Sequence, residues 1–96
     1  MFVIILTYKK PPDIVEAVRG VHRAFLDTLY AQNVLLASGP QIPKTGGILI
    51  ARGMDQTELE ALLQKDPFYT EGIADYQIIA FDPVKHDPAL KDVLQK

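Results

Sequence analysis

Ninety-six residues suffice for one core, and a chain of this size buries only roughly 60–65% of the surface its unfolded form exposes. With 48% hydrophobic and 23% charged residues, no apolar run near the ~20 residues of a membrane span, and no basic segment or small-residue cleavage site around the apolar N-terminus, a cytoplasmic globular protein without a membrane partner is expected. A formal charge of -2, no cysteine and only two histidines exclude a disulfide framework and a thiol nucleophile, and they point away from a metal set, a cofactor and a nucleic-acid partner.

Phe2 to Tyr8 is apolar at both alternating positions, the pattern of a strand covered on two faces, and Lys9-Lys10-Pro11-Pro12 stops it. Asp13 then caps a predicted helix running to about Tyr30. In it Ile14, Val18, Val21, Phe25 and Leu29 recur at spacings of four and three and mark the core face. Asn33, a residue that tolerates positive φ, stands where the chain must turn into a second strand, Val34 to Ala37, which Ser38-Gly39-Pro40 ends. A polar connection with Pro43 and Gly46-Gly47 leads to a third strand, Ile48 to Ala51. Asp55 or Thr57 begins a second helix carrying Leu59, Leu62 and Leu63. Asp66-Pro67 ends that helix, because the residue before proline is driven out of the helical region. Tyr76 to Phe81 is the fourth strand, and Asp87-Pro88 opens a short terminal helix through Leu94.

Strand, helix, strand, strand, helix, strand, then a terminal helix is the split βαβ order of an α+β ferredoxin-like fold, with a four-stranded antiparallel sheet in one domain over residues 1–96. Two helices cover one face of such a sheet, yet the first and fourth strands offer apolar residues to both faces. A second copy packing sheet to sheet is the economical cover, so a homodimer is expected.

At 100° per residue His22 falls roughly 60° from the centre of the apolar stripe, at the edge of the core and half buried. A neutral imidazole there can accept a proton, or can serve as a core-edge residue bonded to a backbone carbonyl. Arg19, one turn earlier, has the fork geometry that suits a carboxylate, with a surface pair or plain solvation as its alternative. Arg23 lies further round and faces solvent. Asp-Pro occurs three times, at Asp66-Pro67, Asp82-Pro83 and Asp87-Pro88. Phe68-Tyr69 sets the first apart, since the aromatic pair can wall a pocket beside the carboxylate. An Asp66 that accepts from His22 would fix the ring tautomer and stabilise the imidazolium, whereas the plain reading is a helix stop. Ser38-Gly39-Pro40 makes a shaped corner in which Ser38 offers a hydroxyl to a substrate and the Gly39 amide meets a developing oxyanion. Alternatively, Ser38 bonds its own backbone in a turn. No base adjoins Ser38, so it is not read as a nucleophile, and His86 is read as a solvated loop residue.

Together these segments resemble the YCII-related family. Arg19-Gly20-Val21-His22 with Phe25-Leu26 and Leu29 is similar to its first helix, Leu35-Leu36-Ala37-Ser38-Gly39-Pro40 to the end of its second strand, and Asp66-Pro67-Phe68 with Gly72-Ile73 and the strand from Tyr76 to its third block. The likeness covers residues 1 to about 83 and departs from the pattern at Asn33, where the family usually has glycine and where asparagine also accepts positive φ. It implies a dimeric α/β barrel with His22 and Asp66 as paired catalytic residues; Arg19, Ser38, Gly39, Pro40 and Phe68 are then expected around the substrate from their own chemistry. Relatives include a dehydrochlorinase of a chlorinated hydroxyquinol, but fold does not imply function.

Two functions follow. One is a small cofactor-independent enzyme of lyase or isomerase type, with His22 as general base and Asp66 orienting it, acting on a small cyclic or aromatic acid. The other is a non-catalytic dimer that binds a small acidic metabolite in the same pocket. A purely structural dimer would need the pocket filled by its own side chains.

Overall fold

The structure, a computed structural model, describes residues 1–94. Four strands, β1 (Phe2–Tyr8), β2 (Leu35–Pro40), β3 (Gly46–Ala51) and β4 (Ala74–Ala80), form one sheet in the order β2-β3-β1-β4, antiparallel at every pairing. With α1 (Pro12–Ala31) after β1 and α2 (Gln56–Leu63) after β3, this is the expected ferredoxin-like α+β arrangement. One element is added, α3 (Pro67–Thr70), and the terminal helix expected from Asp87-Pro88 is a 3-10 turn at Pro88–Leu90 capped by Asp87 and continued by α4 (Lys91–Leu94).

The pleat of β1 sorts its residues. Phe2, Ile4 and Leu6 point to the helices, with Ile4 and Leu6 at 0% and 1% exposure. Burying each of those two contributes roughly 1.5–3 kcal/mol. Val3 and Ile5 point the other way, between Ile50 and Ile48 of β3 and Ile79 and Gln77 of β4. There the side chains are only half buried or exposed, so the sheet carries an apolar face that no described residue covers. Gly46 sits where β3 meets β1 so closely that a Cβ would collide with the Leu6 carbonyl oxygen.

Several expectations are corrected. Helix α1 begins at Pro12 rather than being capped by Asp13. Pro11 is extended, Pro12 occupies a first-turn position whose missing N–H is an orphan in any helix, and Asp13 lies within the first turn, near the positive end of the dipole. The buried stripe of α1 is Val15, His22, Leu26 and Leu29, while Ile14 and Val21 are exposed at 42% and 58%. By helix geometry that stripe is rotated about 70° from the one drawn through apolar residues alone. His22 is therefore near its centre, at 7% exposure, and not half buried at its edge.

Asn33 does take positive φ, 61°, and Val34 N–H returns to the Leu29 carbonyl at 2.9 Å, closing the end of α1. Ser38-Gly39-Pro40 is not a corner after the strand but its second half, paired with Leu49, Ile48 and Gly47. Because β2 is the sheet edge, proline is tolerated there. Asp55 rather than Thr57 caps α2, its side chain accepting from Glu58 N–H at 2.8 Å. Asp66 does stand beyond α2, but it also caps α3. Glycine at position 72, with φ 65°, follows α3 and lets the chain turn into β4, which starts at Ala74, two residues before Tyr76.

Candidate active site

The site grows from the start of α3. Asp66 is extended, with φ -66° and ψ 130°, and its Oδ1 accepts from Phe68 N–H at 2.9 Å, the usual way a cap residue satisfies an orphan donor. The same oxygen lies 2.7 Å from His22 Nδ1, 44 positions away in sequence. Oδ2 accepts from the Tyr76 hydroxyl at 2.6 Å. Asp66 is fully buried, and these partners are what make a buried carboxylate tolerable.

Tyr76 lies on β4 opposite Leu6, facing the helices. Burial first, then the hydrogen bond to Asp66 and the carboxylate charge, hold its phenol far above the ordinary tyrosine value, so it keeps its proton and donates. An acceptor-only Asp66 requires the proton of neutral His22 to sit on Nδ1, which leaves the Nε2 lone pair free. Nε2 bonds no described residue and is not among the buried unpaired atoms, so it reaches the solvent-filled side. Phe68 fixes the ring plane. Its ring stacks on the imidazole with centroids 3.8 Å apart and planes 2° from parallel, and Tyr8 meets Phe68 edge-on at 6.1 Å.

His22 opens into a cleft of about 390 Å³ between α1 and the helix-facing side of the sheet. Of the residues expected at a site, Arg19, Ser38, Gly39, Pro40 and Phe68 all line it with His22, while Asp66 stands behind the imidazole. Arg19 is bonded to Glu16. Arg23, expected to face solvent alone, is exposed and also lines the cleft, as does Lys44. Ser38 Oγ is 2.7 Å from the Tyr30 hydroxyl. Gln41 N–H donates to the Gly46 carbonyl, so ladder alternation makes Gly39 and Ile48 the preceding hydrogen-bonded pair and turns the Gly39 amide toward β3, away from an oxyanion. His86 is exposed, its Nδ1 3.0 Å from the Asp87 carbonyl oxygen.

Tyr76, Tyr30 and Lys44 were not singled out by the sequence. For Tyr76 a signal existed: a tyrosine at an inward position of a strand must find a partner for its hydroxyl. Among the described residues no three His, Cys, Asp or Glu side chains cluster as a metal would require, and no helix is long and apolar enough to cross a membrane.

The fold is shared with a solved structure, 5-chloro-2-hydroxyhydroquinone dehydrochlorinase (TftG) from Burkholderia phenoliruptrix AC1100 in complex with 2,5-dihydroxybenzoquinone. The TM-score is 0.69 at 20% identity, over 85% of this chain and 94% of that one. No curated protein matches the sequence significantly. The YCII-related domain model matches residues 1–82, which hold the whole four-stranded sheet and every member of the His22 cleft, and the chain belongs to the YCII-related family.

Proposed function

We propose that the protein is a small enzyme that needs no cofactor and uses His22 Nε2 as a general base on a small cyclic or aromatic acid. The observation that carries this is the orientation of the ring: Nδ1 is taken by buried Asp66 at 2.7 Å, and the opposite nitrogen opens into a cleft large enough for such a ligand. The base removes a proton from the substrate, and the electron pair left behind moves into the ring. In isomerisation the proton returns at another atom. In dehydrochlorination the proton returns to the chlorine-bearing ring carbon, and loss of a second hydroxyl proton then expels chloride and leaves a quinone, with Asp66 stabilising the imidazolium whenever His22 holds the proton. A base so placed contributes roughly 10²- to 10⁴-fold. That a structure of the same fold is a dehydrochlorinase supports the elimination variant.

The acting form is a homodimer, its sheets packed through the uncovered Val3, Ile5, Ile48 and Ile50. A second reading, capture of an acidic metabolite without turnover, is favoured by the cations Arg19, Arg23 and Lys44 on the cleft wall against one carboxylate, Asp27.

One experiment separates the two. The protein is given 5-chloro-2-hydroxyhydroquinone and a panel of ring acids in D₂O, and chloride release and deuterium incorporation are followed in the parent and in His22→Gln. Turnover that falls at least about 100-fold in the variant supports the enzyme. Absence of turnover with binding retained overturns it in favour of capture, and turnover equal in both proteins removes His22 from the chemistry.

A further inference from the structure

The far end of the cleft from His22 holds two hydroxyls that share a bond. Tyr30, in the last turn of α1, and Ser38, on edge strand β2, meet at 2.7 Å, and both line the cleft. Two hydroxyls carry two protons, and their mutual bond uses one. The other has no partner among the described residues. A phenol is the stronger acid of the two, so the favoured order is Tyr30 donating to Ser38 and Ser38 donating outward, a chain in which the first bond polarises the second donor. Of the two residues that follow Ser38, Gly39 has its amide turned toward β3 and Pro40 has no N–H.

The position of the pair sets the shape of what it can bind. Tyr30 is eight residues after His22, about 12 Å along the helix axis, and long helical side chains lean back toward the N-terminus, so the phenol approaches the imidazole more closely than its backbone does. The gap suits one substituted ring. Arg23 and Lys44 line the same cleft and outnumber its one carboxylate, Asp27, which favours negative charge on the ring.

We propose that Tyr30 and Ser38 act as one donor that holds a ring oxygen, a phenolate or a conjugated carbonyl, of a small planar ligand whose opposite edge faces His22. This rests on the reading of the cleft as a substrate site and adds the ligand class and the group that recognises it. Ligands lacking that oxygen lose the contact, and neither hydroxyl holds it without the other.

The test uses 4-nitrophenolate, with nitrobenzene as the same ring lacking the oxygen, titrated calorimetrically into the parent, Tyr30→Phe, Ser38→Ala, the double variant and His22→Gln. We expect each single variant to weaken 4-nitrophenolate about 5- to 10-fold, the double variant to do no worse than the weaker single, and nitrobenzene to be unaffected. His22→Gln should leave the preference for 4-nitrophenolate over nitrobenzene intact. Unchanged affinities, effects that multiply in the double variant, equal losses for nitrobenzene, or no binding to the parent would each overturn the proposal. Loss of turnover chemistry with this preference retained would remove only the enzyme reading. Turnover with the preference absent would remove only the donor pair.

Discussion

Asp66→Asn tests whether the site holds a charged carboxylate or merely a polar side chain of the right shape. Asparagine keeps the outline of aspartate, and the Phe68 N–H on Oδ1 dictates which way the amide points. Its oxygen takes the Oδ1 place, still accepting from Phe68 and His22 Nδ1, while its NH₂ meets the Tyr76 oxygen, which must accept where it had donated. All three contacts survive, but three hydrogen bonds to a charged group become three neutral ones. A bond to a charged group contributes about 1.5–3 kcal/mol against about 0.5–1.5 kcal/mol for a neutral one, so roughly 3 kcal/mol is lost in all. Relief of the cost of burying a charge offsets part of this, and we expect a net loss of about 1–3 kcal/mol. Urea unfolding followed by circular dichroism measures it as a midpoint lowered at constant slope, by about 1–3 M for a slope of about 1 kcal/mol per M, the low end of the range for small proteins. A midpoint equal to that of the parent would refute an ionised, triply bonded Asp66. A variant with greater stability would show that burying the charge costs more than its partners return.

Three further outcomes are expected. In an alkaline titration read at the tyrosinate absorbance, Tyr76 should stay protonated in the folded protein well above pH 10, because burial and Asp66 both favour the phenol. A group whose folded value is raised stabilises fully below its unfolded value, so this contribution is present up to about pH 10 and is lost as pH rises further; Tyr76→Phe should flatten that part of the stability profile. Gly46→Ala should destabilise by at least about 1–3 kcal/mol, since its Cβ has no room beside the Leu6 carbonyl, and thermal unfolding unchanged from the parent would contradict the close approach of β1 and β3. Ile5→Asp, on the uncovered sheet face, should abolish the proposed dimer and leave folded monomer by light scattering, and a dimer that persists in the variant would place the interface elsewhere.

The sheet was legible because its signals are local and redundant. Phe2 to Tyr8 is apolar on both alternating faces and is stopped by two lysines and two prolines, so both bounds of β1 agree with the sequence reading. The phase of α1 was not legible from apolar residues alone. Ile14 and Val21 are apolar yet exposed, and the buried stripe passes through a histidine whose polarity removes it from a count of hydrophobic positions. The pairing of His22 with Asp66 came from likeness to a family rather than from periodicity, which carries no information on residues 44 positions apart. Four-residue α3 is too short to show a period, and Asp-Pro is equally the signature of a stop and of a start. Tyr76 was passed over although an inward strand tyrosine needs a partner, because that partner, Asp66, is identified only when α3 packs beside β4.

The double duty of Asp66 narrows what position 66 can hold more than either duty alone. As the cap of a short helix, the position would accept serine, asparagine or threonine with little loss, because each offers an oxygen to the N–H two or three residues on. Beside an imidazole acting as the proposed base, which would hold its proton on one nitrogen and take another on the second, the position calls for a carboxylate whose length matches the turn it caps. Glutamate would carry the charge but overshoot the cap. A library of position 66 screened for folding and one screened for chemistry should therefore return different sets of residues, with aspartate as their intersection.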